Sequence, residues 1–121
     1  MLSLASAIVA GAMRLIDLRT DDGSRQFACL PQNAPWDAVR DHALRLPDAQ
    51  IISSVSEEIA PPWLDFSFRG HRFLVHGRHG QLHFFVRQPH CSDLILFQVA
   101  QHFTELQSKH DREHHGENEE V

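Results

Sequence analysis

Between Leu64 and Val86 the chain alternates apolar and polar positions with a period of two. Leu64, Phe66 and Phe68 are separated by Asp65 and Ser67, Phe73 and Val75 continue the pattern, and Leu82, Phe84 and Val86 close it. Arg69-Gly70 and Gly77-Arg78-His79-Gly80 interrupt it with turn chemistry, so the pattern predicts an antiparallel meander over about 63–88. Its strands are expected at 63–68, 71–77 and 81–88. A two-residue first turn pairs Phe66 with Phe73 and Leu64 with Val75. A four-residue second turn pairs Val75 with Leu82 and Phe73 with Phe84. Both registers put one apolar set on one face, which a slip of a single residue would destroy.

The period changes to helical on either side. Trp36, Val39, Ala43 and Leu46 predict a helix over 35–46, with Pro35 in its first position behind Asn33 or Ala34 and Pro47 ending it. Ile95, Leu96, Val99, Ala100, Phe103 and Leu106 form a wide apolar stripe on a second helix over 92–107. Ser92 is a suitable cap for it, and Asp93 suits the positive end of its dipole. Met13–Arg19 and Arg25–Leu30 flank the turn residues Thr20–Ser24, and Gln50–Ile59 is β-branched enough for another strand before Pro61-Pro62. Strands following one another without intervening helices exclude a doubly wound parallel sheet. The expected fold is α+β: a two-layer sandwich in which both helices cover one face of an antiparallel sheet. Phe66, Phe73 and Phe84 should lie beneath Val99 and Phe103.

At 121 residues the chain holds one domain, expected over 13–107. Residues 1–12 are apolar and end in Ala10-Gly11-Ala12, which fits a cleavage site, yet no Lys or Arg precedes the apolar run. A short helix or loose arm is the expectation there, with a true start at Met13 as another reading. From Ser108 onward the chain is polar and acidic, with His110, His114 and His115, and reads as a frayed or disordered tail. No apolar run is long enough to cross a bilayer. Two cysteines 62 positions apart make no disulfide framework, so a reducing, cytoplasmic setting is expected.

Net charge is −5, which argues against a general nucleic-acid binder. The charge is uneven, however. Phe66–Ser92 holds no carboxylate but contains Arg69, Arg72, Arg78 and Arg87, with five histidines. Arg72, Arg78 and Arg87 are therefore candidate anion ligands. His76 and His83 should share the face opposite the core as diagonal neighbours, which makes them candidate metal ligands. The tail histidines could also take up divalent metal weakly. His90-Cys91, at a helix start, is an arrangement that can lower a thiol pKa, although no third group orients the imidazole.

Arg78-His79-Gly80-Gln81, behind the apolar Phe73-Leu74-Val75, resembles the Arg-His-Gly motif of the histidine phosphatase family. That resemblance implies His79 as the phosphoryl-accepting nucleophile and Arg78 as a phosphate ligand. Such enzymes carry the motif at the start of a larger parallel α/β domain, whereas here it falls in a tight turn between antiparallel strands. The turn reading is preferred. No Walker loop, Gly-x-Ser-x-Gly, His-Glu-x-x-His, Gly-x-Gly-x-x-Gly or Cys-x-x-Cys is present, and neither a catalytic residue nor a cofactor is assigned.

Trp63, Leu74 and Phe85 fall on the polar phase of the meander, and Leu94 and Phe97 fall off the core stripe of the last helix. Two such groups on a small domain favour a covered surface, and a symmetric homodimer covers one with a single patch. The N-terminal arm is the competing cover. The reading is a small non-catalytic interaction module that self-associates. Its alternatives are a metal- or anion-binding protein using the His/Arg-rich sheet face, and a small protein similar in size and class to secretion chaperones.

Overall fold

The computed structural model describes residues 14–55 and 61–120, with side chains as far as Leu106. The expected N-terminal arm therefore lies outside the described residues, as do positions 56–60. The chain runs β1 (Leu18–Arg19), β2 (Arg25–Pro31), α1 (Trp36–Ala43), β3 (Gln50–Val55), β4 (Trp63–Phe68), β5 (His71–Arg78), β6 (Gln81–Val86) and α2 (Asp93–Glu120). All six strands form one antiparallel sheet in the order β1-β2-β6-β5-β4-β3. The α+β class is as expected.

Local chemistry explains each boundary. In the turn before β2, Gly23 takes φ +90° and its N–H donates to the Thr20 carbonyl. The Asp22 carboxylate accepts from the hydroxyls of Thr20 and Ser24, and these bonds hold its pKa well below the usual carboxylate range. Pro35 is extended, with ψ 156°, and stands as the cap of α1 rather than its first residue; its carbonyl accepts from Ala38 and Val39. α1 is also shorter than expected, because three i→i−3 bonds tighten its exit from Leu44 to Leu46. Ser92 caps α2 through its carbonyl and, at 3.4 Å, its hydroxyl.

The expected end of that helix near 107 is corrected: the backbone continues as helix to Glu120. Residues 108–120 lack an apolar stripe, but Lys, Arg and Glu are strong helix formers, and no proline stops them.

The first hairpin has the expected register, with Phe66 opposite Phe73 and Leu64 opposite Val75. The second is shifted by two residues. Val75 faces Phe84 and Phe73 faces Val86, because only His79-Gly80 forms the loop, at φ +54° and +75°. A two-residue turn with positive φ at both positions matches the strand twist, so Gly77 and Arg78 remain in β5. Gly77 has a different task. A Cβ there would lie 2.8 Å from Pro62 Cγ and 3.4 Å from the Trp36 ring, so α1 and the approach to β4 close over bare backbone.

Even registers keep the apolar face intact. Leu64, Phe66, Phe68, Phe73, Val75, Leu82, Phe84 and Val86 join Trp36, Val39 and Ala43 of α1 and Leu96, Val99, Ala100 and Phe103 of α2 in one cluster. The Phe103 ring lies 5.0 Å from that of Phe84 and 6.2 Å from that of Phe66. The aromatic core is the one expected. β2 adds Phe27, whose ring meets Phe73 edge-on at 5.8 Å, and a bulge at this residue separates Gln26 from Ala28.

Candidate functional site

The apolar phase of the strands and the apolar stripes of the helices join one cluster, and the polar phase of the strands collects the chemistry. Strand pairing lays its side chains in cross-strand rows. One row reads Cys29, His83, His76, Trp63, and the next reads Gln26, Phe85, Leu74, Asp65. None of these residues belongs to the core cluster. Trp63, Leu74 and Phe85 are each half-buried, and the His76 ring lies 5.1 Å from that of Phe85.

The two-residue shift changes the histidine geometry. His76 and His83 are direct partners, not the diagonal neighbours expected. His83 Nδ1 lies 3.1 Å from Gln26 Nε2 and 3.7 Å from Cys29 Sγ, while the Cys29 thiol donates to Gln81 Oε1 at 3.2 Å. The Gln26 amide nitrogen can only donate, so His83 Nδ1 is the acceptor of this bond. Burial pushes the Cys29 thiol up. Desolvation, then the charges of His83 and Arg78, pushes His76 below the ordinary histidine value. Among the described residues no three His, Cys, Asp or Glu side chains form a group that could hold a metal ion.

Charge on this face is largely committed. Arg72 grips Asp65 with both prongs, Nε to Oδ1 at 3.1 Å and Nη2 to Oδ2 at 2.6 Å. Asp65 is only 5% exposed, so the guanidinium satisfies a carboxylate nearly withdrawn from water. Arg87 adjoins Arg72 through an N–H bond to its carbonyl. Arg78 stands six residues along β5 from Arg72, roughly 20 Å at strand rise. The three candidate anion ligands are thus not brought together. Arg78 and His79 occupy an exposed hairpin end, and Arg78 pairs in register with Gln81 as an ordinary strand residue.

Cys91 is 4% exposed, and its thiol is pushed up chiefly by burial. The arrangement that can lower a thiol pKa does not do so here, because desolvation outweighs the nearby Arg25 charge.

The second group of apolar residues lies on α2. Leu94 is 82% exposed, and half-buried Phe97 lines an open groove of about 830 Å³ with Leu46, Pro47, Arg69 and His102.

Two constellations escape the sequence pattern. Arg25, nearly buried, binds the Ile16 carbonyl at 2.9 Å and Asp93 at 3.2 Å, joining β2 to the first turn of α2. His42 of α1 and His102 of α2 stack with ring centroids 3.8 Å apart. Each occupies the same place on its apolar stripe, three residues after a core valine (Val39, Val99) and four before a leucine (Leu46, Leu106). That shared offset is the signal that marks them.

Compared with known proteins, the chain matches no family model, no curated protein and no solved structure.

Proposed function

We propose that the protein is a small non-catalytic interaction module that pairs with a second copy of itself through the sheet face away from the helices. The observation that carries this reading is the band of Trp63, Leu74 and Phe85, three large apolar side chains outside the core on the face that both described helices leave free. Their neighbours suit an interface. His76 is pushed below the ordinary histidine value, and the Asp65 carboxylate is already paired with Arg72, so among the described residues of the band closing the face strands no free carboxylate. Two sheets packed face to face sit about 10 Å apart, and a stable contact buries about 800 Å² per partner, the scale of such a face. A cytoplasmic setting is proposed alongside, since Cys29 and Cys91 are free thiols.

Sedimentation at micromolar concentration tests this. The expected mass is about twice 13.8 kDa. Phe85→Glu should give a folded monomer, because a carboxylate on the band cannot be desolvated opposite its own copy. Leu94→Glu should remain dimeric. A monomeric wild-type protein, or a dimer that only Leu94→Glu dissolves, would overturn the proposal.

A further inference from the structure

The geometry points to a proton-released latch at the α1–α2 junction: His42 and His102 clasp the two helices together only while the His42 ring is neutral. His42 Nε2 lies 2.7 Å from the His102 carbonyl, and His102 Nε2 lies 2.6 Å from the His42 carbonyl. A carbonyl can only accept, so both rings carry their proton on Nε2 and each donates to the other's backbone. The exchange is reciprocal across 60 residues of sequence. Parallel stacking at 3.8 Å, 15° from coplanar, keeps the rings in register, and Phe103 closes edge-on against both.

The remaining nitrogen of His42 makes the clasp conditional. His42 is 8% exposed, and its Nδ1 is buried with no hydrogen-bond partner among the described residues. A neutral ring tolerates a bare lone pair there. A protonated ring would bury an N–H with no acceptor and hold a cation against a second imidazole.

The charged and titratable groups facing His42 are His102 and Glu105 from α2 and Arg45 from its own side, and of their charges only that of Glu105 favours the cation. Burial is the largest influence and lowers its pKa; the bond to the His102 carbonyl acts the other way and does not compensate. The folded chain therefore takes up this proton later than the unfolded chain does. The latch contributes its full stability above the ordinary histidine value of about 6.5 and loses it as pH falls below that. His102 also lines the groove beside Leu94 and Phe97, so release of α1 in acid alters that surface too.

The test is NMR on the full chain. At about pH 7.5 both imidazoles should appear as Nε2–H tautomers. On lowering the pH to about 5.5, amide protection over Val39–Ala43 should fall about tenfold more than protection in β4 and β5, after correction for intrinsic exchange. His42→Gln keeps an N–H donor for the His102 carbonyl and cannot be protonated, so it should abolish that excess loss, whereas His76→Gln should not. A His42 Nδ1–H tautomer, or protonation of His42 at its ordinary pH with α1 protection unchanged, overturns the latch in wild-type protein alone. An identical acid response in folded His42→Gln overturns it as well.

Discussion

Phe84→Ala is expected to lower the unfolding free energy by about 3–5 kcal/mol, the cost of a large cavity where an aromatic ring is lost from a packed core. Phe84 is 1% exposed and touches the rings of Phe27 and Phe103, so β2, β6 and α2 all border the space it leaves. A domain of this size has about 5–15 kcal/mol in total, and the variant should be partly unfolded at body temperature. Urea unfolding followed by the far-ultraviolet signal measures it. A loss under about 1 kcal/mol would show that the ring is not held between sheet and helix.

Arg72→Ala should lower the unfolding free energy as well, on a different ground. The alanine leaves the nearly buried Asp65 carboxyl without either prong of its partner, and removing one member of a pair whose other member is buried destabilises. Asp65→Asn combined with Arg72→Met removes both charges and should recover most of the loss. The single and double variants, compared by urea unfolding, form the check. If Arg72→Ala unfolds at the wild-type midpoint, Asp65 is already solvated, and the description of the sheet face is wrong at that point.

Alternation made the meander legible, because Phe66, Phe73 and Phe84 can share a face only in antiparallel strands of even register. Alternation alone does not separate two registers differing by two residues, since both keep the same face. Turn chemistry decided between them: His79 accepts the positive φ that lets His79-Gly80 close the hairpin alone. The consequence reaches the site, because the shift turns His76 and His83 from diagonal neighbours into partners. Contacts between distant segments left weaker traces. Nothing in the local pattern of Arg25–Pro31 says that it pairs with β6, or that Arg25 reaches Asp93. Asp65 sits opposite Leu74 in register, and its partner is the diagonal Arg72. His42 and His102 were hidden for the same reason, since a histidine beside an apolar stripe reads as solvated until its counterpart is found on the facing helix.

The central claim is that the band of Trp63, Leu74 and Phe85 meets its own copy. It is tested most directly by isotope-filtered nuclear Overhauser spectroscopy on a mixture of labelled and unlabelled chains, which detects only contacts between copies. The account predicts intermolecular contacts among the side chains of Trp63, Leu74 and Phe85. Contacts confined to Leu94 and Phe97, or none at all at millimolar concentration, would contradict it.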